Sequence, residues 1–235
     1  MNLETHLEDQ ALKADQFLNF FWHVTRSSYI LQTLKKYKKT KSVLDVGAGA
    51  GVFFKHYLSG FQKSQYYFIE PIQSLRDRIL KSPGSHVITD ETALIEQDAV
   101  VLLDVLEHIE HDLDFLKNIY SRMPNGTLLI LTCPALNILW SDWDVKMGHF
   151  RRHTKKSLMS VASSAGFEVK ESRYLFHFFV LPALWRKFNP SPDAEFPHLS
   201  KMINSILKAW AFFELKFFYY VPFGTSVTVV AQKII

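Results

Sequence analysis

The sequence contains very little cysteine and no long run of apolar residues. A single cysteine, Cys133, stands among 235 residues. It excludes an internal disulfide framework and favours a reducing cytoplasm as the compartment. Residues 1–10 are polar and acidic, so we expect no secretion signal. The strongly apolar stretch at residues 175–185 is shorter than the ~20 residues that a membrane-spanning helix needs. We therefore expect a cytoplasmic globular protein.

Apolar residues make up 48% of the chain and aromatic residues 14%, which is enough for a large core. The length suits one sizeable α/β domain, or a domain with an inserted lobe, better than two independent domains. The net charge of +4 permits an acidic partner without demanding one. Because no segment resembles a base-reading module, we expect no nucleic-acid partner.

Strand and helix signals alternate after an N-terminal helical pattern at residues 9–37. Short apolar strands are indicated at residues 42–46, 66–70, 86–88, 99–103 and 127–132, with helices between them at 52–59, 72–81 and 111–123. Such strands, separated by helices, predict a parallel sheet that is covered on both faces. A helix at 155–165 and strands at 167–174 and 226–232 follow, and an aromatic- and proline-rich segment separates those two strands.

A glycine-rich bend follows the first strand. Asp45 ends the strand, and Gly47, Gly49 and Gly51 follow before a helix begins. Glycine lets a cofactor approach the backbone closely, and the start of a helix offers free N–H groups to a ligand. A dinucleotide fingerprint would place its third glycine where Val52 stands. A turn that only packs the helix against the strand is the alternative.

Glu70 ends the second strand, where its carboxylate can accept hydrogen bonds from two ribose hydroxyls. An ordinary acid at the end of a strand is the alternative. Dehydrogenases also place an acid here, so a nicotinamide-dependent oxidoreductase stays open.

Several spaced motifs resemble those of the class I S-adenosylmethionine-dependent methyltransferases, in the methyltransferase-11/12-like superfamily. The pattern D-x-G-x-G-x-G from Asp45 resembles motif I, and the run L-L-D-V-L-E-H-I at residues 102–109 resembles motif IV. Residues 123–130 are similar to the family's turn into strand five. The resemblance covers about residues 42–134 and, more loosely, residues 154–166.

This resemblance implies a Rossmann-like α/β fold. Its doubly wound seven-stranded sheet would be mostly parallel with an antiparallel last strand, with N-terminal helices and a helical insertion before the last strand. The implied cofactor is S-adenosyl-L-methionine. Matching positions place it against Asp45, Gly47, Ala48, Gly49, Gly51, Glu70, Pro71, Asp90, Asp104, Val105 and Leu106. Asp90 would meet the adenine amino group, or serve as a turn residue or helix cap.

The candidates for acceptor chemistry follow motif IV and the fifth strand. His108 would take a proton from a hydroxyl acceptor, or only pack against the cofactor. The pattern H-F-R-R-H-T resembles a loop of bacterial relatives; His149 is a second catalytic candidate, and Arg151 and Arg152 would clamp a phosphate or carboxylate. Trp22 lies in a segment similar to a lid of some relatives and is a candidate for substrate binding or for core packing.

A cluster of side chains that could bind a metal ion lies at the end of motif IV. Its members are Asp104, Glu107, His108, Glu110 and His111. Motif IV accounts for most of them, and the two-histidine spacing of a zinc protease is missing, so no metal is predicted.

We therefore predict one methyltransferase domain in four parts: an N-terminal helical lid (1–40), a cofactor-binding core (41–174), an inserted aromatic-rich lobe (175–220) and a closing strand (221–235). The predicted reaction is methyl transfer to a small-molecule or lipid-like acceptor, at oxygen. The lobe leaves open a peripheral membrane contact, a homodimer interface or a second core. A non-catalytic protein that binds S-adenosylmethionine is a further alternative.

Overall fold

The computed structural model describes residues 17–37, 41–61, 65–81, 85–87, 96–189 and 199–234. Asp90, the first part of the N-terminal helical pattern and residues 190–198 of the lobe lie outside these ranges.

One sheet of seven strands runs through the molecule, in the order β3-β2-β1-β4-β5-β7-β6. The strands are β1 (Ser42–Val46), β2 (Gln65–Ile69), β3 (Ser85–Val87), β4 (Ala99–Leu103), β5 (Leu128–Pro134), β6 (Phe167–Leu175) and β7 (Ser226–Lys233). The first five pair in parallel, and β7 runs antiparallel between β5 and β6. The predicted sheet and its antiparallel last strand are confirmed. The strand order reverses between β1 and β4, where a doubly wound sheet leaves a crevice at the carboxyl ends of its strands.

Eight α-helices accompany the sheet in the described residues. They are α1 (Phe21–Lys36), α2 (Val52–Gly60), α3 (Gln73–Leu80), α4 (Asp112–Arg122), α5 (Asp142–Lys146), α6 (Lys155–Ser164), α7 (Val180–Phe188) and α8 (Lys201–Phe217). As the sequence predicts, α6 begins after Thr154, whose hydroxyl accepts a hydrogen bond from the Ser157 N–H at 3.1 Å. Sequence reasoning missed α5 and the short 3-10 helices Leu106–His108 and Asn137–Leu139.

The core consists of two apolar layers, one on each face of the sheet. Val100 and Leu102 of β4 pack into the layer that contains Leu116 of α4. Val101, which alternates with them, packs into the layer that contains Ile30 of α1. Because both faces of β4 are buried, every residue in the strand is apolar rather than every second one.

The inserted lobe comprises α7 and α8, which lie between β6 and β7 in the chain, as predicted. The buried Glu214 carboxylate accepts hydrogen bonds from the N–H groups of His177 at 3.1 Å and Phe178 at 2.9 Å, just before α7. Asn204 of α8 accepts a hydrogen bond from the Phe21 N–H at 2.8 Å. The lobe therefore holds the start of α1 in place. Within the described ranges, no helix is both long and apolar enough to cross a membrane.

Candidate cofactor and acceptor site

A cavity of about 580 Å³ lies at the carboxyl ends of β1, β2 and β4. Its walls come from the bend after β1, the residues that follow β2 and β4, part of α1 and the loop after α5. The residues predicted from the sequence that line it are Asp45, Gly47, Ala48, Gly49, Glu70, Pro71, Asp104, Val105, His108 and His149. The structure thus brings both halves of the predicted site into one space.

Two features of the bend favour glycine: a positive φ angle at all three positions, and close packing at two of them. All three glycines have positive φ angles: +76° at Gly47, +56° at Gly49 and +73° at Gly51. A Cβ atom on Gly47 would lie 2.8 Å from Cγ2 of Val105, and one on Gly51 would lie 2.9 Å from Cγ1 of Ile79. A Cβ atom on Gly49 would meet nothing within 4 Å. Gly47 and Gly51 therefore permit close packing, whereas Gly49 borders open space at the cavity wall.

Glu70 is buried beside this bend. Its Oε2 accepts a hydrogen bond from the Gly49 N–H at 2.7 Å, and its Oε1 accepts one from the Ile72 N–H at 2.9 Å. Burial raises the pKa of the carboxyl group, and these two N–H groups act in the opposite direction. Each oxygen keeps a second lone pair. The carboxylate is therefore held rigidly and still fits two hydroxyl donors of a ligand.

Asp45 is almost fully buried at the end of β1. The Tyr66 hydroxyl donates a hydrogen bond to its Oδ2, while its buried Oδ1 has no partner within the part of the chain that the structure describes. Burial raises the pKa of Asp45 to about 7, against the influence of Tyr66 and Arg26. A buried acceptor without a partner on a cavity wall suits a ligand that carries a hydrogen-bond donor.

Arg26 joins α1 to the other side of the bend. Its guanidinium forms an ion pair with Asp104, and Asp104 Oδ1 accepts a hydrogen bond from the Thr132 hydroxyl at 2.9 Å. Asp104 has a φ of +59°, which an aspartate adopts only when its surroundings hold it. Burial lowers the pKa of Arg26 to about 10, so the side chain stays charged at neutral pH. Arg26 belongs, with Trp22, to the segment that resembles a lid of some relatives, but sequence reasoning assigned it no contact in the site, although it is the only arginine or lysine between residues 21 and 34.

Two histidines, His108 and His149, also line the cavity. The ring centroids of His108 and His149 lie 4.7 Å apart. His149 Nδ1 is 2.9 Å from Oδ1 of the fully buried Asp144, which fixes the ring and leaves Nε2 for other contacts. Burial and the neighbouring His149 lower the pKa of His108 to about 4. His108 is therefore neutral at physiological pH.

Glu107 lies next to these histidines and is fully buried. Burial raises the pKa of its carboxyl group to about 8, against the influence of Arg26. Its backbone carbonyl accepts a hydrogen bond from the Phe150 N–H at 2.7 Å, which joins the His149 loop to the 3-10 helix that follows β4. In sequence reasoning it was only one of five possible ligands, two of which, Glu110 and His111, are exposed. Asp144 was missed, because nothing local in the sequence marks its contact with His149.

Three predicted substrate-binding residues do not line the cavity. Both carboxylate oxygens of Asp144 accept hydrogen bonds from Arg152, at 2.8 and 2.9 Å. Arg151 pairs with Asp112 at 2.9 Å. Trp22 stacks on Phe176, with ring centroids 3.8 Å apart. Each of these side chains is engaged elsewhere in this structure, and substrate contact by Trp22, Arg151 and Arg152 stays a prediction.

Two predicted cofactor residues also lie behind the cavity wall. Gly51 precedes the first residue of α2 and packs against Ile79. Leu106 is fully buried in the core. Both shape the site without facing it, and Asp90 lies outside the described residues.

Comparison with known proteins gives a family match over most of the chain. Residues 21–172 match the family described as a methyltransferase domain. No curated protein sequence matches. Among solved structures, a complex between the Haloferax volcanii Trm112 methyltransferase activator and a methyltransferase is similar at a TM-score of 0.64 and 12% identity, covering 100% of this chain and 98% of that one.

Two further structures show the same fold. Phosphoethanolamine N-methyltransferase 2 of Haemonchus contortus, in complex with S-adenosyl-L-methionine, has a TM-score of 0.62 and 14% identity, covering 100% of this chain and 60% of that one. A methyltransferase from Archaeoglobus fulgidus that depends on S-adenosylmethionine has a TM-score of 0.55 and 14% identity, covering 88% and 94%. The family match spans more than half of the chain and includes both walls of the cavity. The chain therefore belongs to the methyltransferase domain family and is an S-adenosylmethionine-dependent methyltransferase.

Proposed function

We propose that this protein transfers the methyl group of S-adenosylmethionine to the hydroxyl oxygen of a small-molecule or lipid-like acceptor. The observation that carries the proposal is that one cavity is lined both by the glycine bend and Glu70, which follow β1 and β2, and by His108 and His149, which follow β4 and β5.

The cofactor end is proposed to work through shape and fixed acceptors. Glu70 would accept hydrogen bonds from the ribose hydroxyls, Asp45 would face a donor at the amino-acid end, and Gly47 and Gly49 would let the cofactor approach the backbone. Ala48, Pro71, Asp104 and Val105 would complete the wall. The cofactor supplies an activated methyl group when bound. The chain then has to align the acceptor with that group and exclude water.

The acceptor end supports transfer to oxygen. An amine is nucleophilic once it is neutral, whereas a hydroxyl group gains reactivity when a base takes its proton. His149 is oriented by Asp144 in the manner of a catalytic base, because the carboxylate holds Nδ1–H and stabilises the imidazolium that forms. Its Nε2 would accept the hydroxyl proton, with neutral His108 positioning the acceptor.

The lobe is proposed to contact an anionic membrane surface and to admit a lipid-like acceptor. On α7, Leu181, Trp185 and Phe188 form one stripe and are 71%, 72% and 76% exposed. Exposed apolar residues of α8 recur at helical spacing as Met202, Ile206, Trp210, Phe213 and Phe217. The charged residues of both helices are Arg186, Lys187, Lys201, Lys208 and Lys216, apart from the buried Glu214. Exposed apolar stripes flanked by cations are typical of helices that lie in a membrane interface.

Methyl incorporation tests the reaction. Purified protein would be incubated with S-adenosylmethionine labelled in its methyl group and with fractionated metabolites and lipids. We expect label in one acceptor class, and His149→Ala should lower turnover by about 10²-fold or more with little change in cofactor affinity. Equal losses of turnover and cofactor affinity would contradict the role of His149 as the catalytic base. Tight cofactor binding without turnover on any acceptor class would contradict the proposed reaction.

Vesicle co-sedimentation tests the lobe. We expect binding to vesicles that contain phosphatidylglycerol and weaker binding by the Trp185→Ala/Phe188→Ala double variant. The matched control is Val145→Ala, which removes an exposed apolar side chain outside the lobe. Equal binding by all three proteins, or a dimer that the double variant dissociates, would contradict the membrane proposal.

A further inference from the structure

We propose that Glu107, His108 and His149 form a binding site for a divalent transition-metal cation of the zinc class at the acceptor end of the cavity. The site rests on the proposed methyl transfer to a hydroxyl oxygen in the same cavity, and in the metal-bound protein a role as metal ligand replaces the role of His149 as the base.

The three side chains are close enough for one ion. One donor atom from each residue lies within 4.8 Å of the others. A cation bound at ~2.0–2.2 Å needs donor atoms that are roughly 3–4 Å apart, so small side-chain rotations would close the site. Glu107 and His108 are neighbours in a 3-10 helix after β4, and His149 lies in the loop that Phe150 ties to Glu107. The backbone therefore already holds the three residues at one place.

Glu107 gives an independent reason to expect a cation. Its side chain is fully buried, and neither carboxylate oxygen has a hydrogen-bond partner of normal geometry among the described residues. The backbone N–H of Glu107 itself and the Cys133 thiol lie near the carboxylate and lower its pKa, as do Arg26 and Arg152 through space. A buried carboxylate without a partner is costly to fold unless it is protonated, paired or bound to a metal. Glu107 faces a cavity that a ligand can enter, so a bound cation would remove that cost.

Both histidines have the support that metal-binding imidazoles require. His149 contacts Asp144 through Nδ1, and its Nε2 is the nitrogen left for a metal. The backbone of Gly148 and Met147 lies near the His108 ring and raises its pKa against the effect of burial. Metal-ligating histidines almost always donate their second N–H to a carboxylate or a carbonyl. Two nitrogens and one carboxylate oxygen favour zinc, cobalt or iron over magnesium or calcium.

A cation at this place would change how the acceptor is activated. A hydroxyl bound to it has a lower pKa and loses its proton to water. The hydroxyl oxygen then forms a bond to the methyl carbon as the carbon–sulfur bond breaks, and the sulfonium becomes a neutral thioether. An imidazole nitrogen bound to a metal cannot accept a proton. In the metal-bound protein, His149 would therefore hold the cation instead of acting as the base.

Cobalt binding tests the site without any activity measurement. The full chain would be stripped with a chelator and titrated with Co²⁺ alone, followed by its visible absorption and by calorimetry. We expect one Co²⁺ per chain, displaced by Zn²⁺. Glu107→Gln and His149→Ala should each abolish binding, and Asp144→Asn should weaken it by roughly 10- to 100-fold. The matched control is His111→Ala, a nearby exposed histidine, which should bind like the unchanged protein.

Two results would overturn the proposal: no cobalt binding by the unchanged chain, or equal affinity in the unchanged chain and Glu107→Gln. Glu107→Gln keeps the size of the side chain and is uncharged, like the carboxyl group whose pKa burial raises to about 8, so its metal-free melting temperature should not fall. Loss of folding is therefore distinguishable from loss of a ligand. Glu70→Ala separates this inference from the proposed function, because it should lose cofactor binding and keep cobalt binding.

Discussion

Glu70→Ala is the substitution whose effect the structure defines most closely. The carboxylate accepts two backbone hydrogen bonds, at 2.7 and 2.9 Å, and so fixes the bend after β1 relative to the start of α3. In the proposed complex, the same group accepts the ribose hydroxyls. One change therefore removes both the support of the bend and the grip on the cofactor, and the two losses are measured separately.

The magnitudes follow from hydrogen bonds to a charged group. Each contributes about 1.5–3 kcal/mol, so two lost contacts with ribose hydroxyls weaken cofactor binding by about 3–6 kcal/mol, or roughly 10²- to 10⁴-fold. Water entering the space left by alanine favours the lower end. The two N–H groups left without the carboxylate cost about 1–3 kcal/mol each in folding. The lower end of this summed cost is smaller than the free energy of unfolding of a typical domain, which is roughly 5–15 kcal/mol.

Calorimetric titration with S-adenosylhomocysteine measures the first loss, and urea unfolding measures the second. Glu110→Ala is the matched control, since the Glu110 residue is exposed and away from the cavity wall. The control should bind the nucleoside like the unchanged chain. Unchanged affinity in Glu70→Ala, in protein that is folded, would refute the assignment of Glu70.

Three further substitutions test other parts of the structure. Gly47→Ala should lower the free energy of unfolding by about 2–5 kcal/mol, because the new Cβ atom would lie 2.8 Å from a valine side chain and the backbone there is left-handed. An unchanged midpoint in urea denaturation would contradict this prediction. Arg152→Ala should lower the free energy of unfolding by about 3–5 kcal/mol, because it leaves the buried Asp144 poorly paired. Arg151 is more exposed, so Arg151→Ala should lower it by less than about 1 kcal/mol. Equal losses for the two variants in urea denaturation would contradict this difference. Folding raises the pKa of Asp45 from 3.8 to about 7, so the unfolded chain loses this proton at lower pH than the folded chain, and the free energy of unfolding falls as pH rises through that range. Asp45→Asn should reduce this fall when unfolding is measured from pH 4 to 7. Parallel pH profiles for the two proteins would contradict the assignment of the fall to Asp45.

Local sequence signals predicted correctly that several residues at the ends of strands line one cavity. Gly47, Gly49 and Glu70 stand directly at the ends of strands, and parallel strands bring their carboxyl ends to one edge of the sheet. Their neighbours in space are thus determined once the strand order is known. Gly51 and Leu106 belong to the same motifs but turn away from the cavity, because a motif does not specify which way each backbone unit faces.

The acceptor half depended on contacts that no local pattern shows. Arg152 lies in a loop that suggested a substrate clamp, but its partner Asp144 comes from α5, a five-residue helix that sequence reasoning missed. Trp22 was a candidate for the site, yet its ring packs against Phe176 at the end of β6. Pairings such as these depend on how α1, α5 and the lobe pack together, and residue spacing along the chain does not encode that packing.

A crystal structure of the full chain with S-adenosylhomocysteine would show where the nucleoside binds. We expect both ribose hydroxyls to lie within hydrogen-bond distance of the Glu70 carboxylate. We also expect the amino-acid end to lie against Gly47 and Gly49, with the sulfur facing His108 and His149. A nucleoside bound elsewhere, with Glu70 contacting only the backbone, would contradict these expectations.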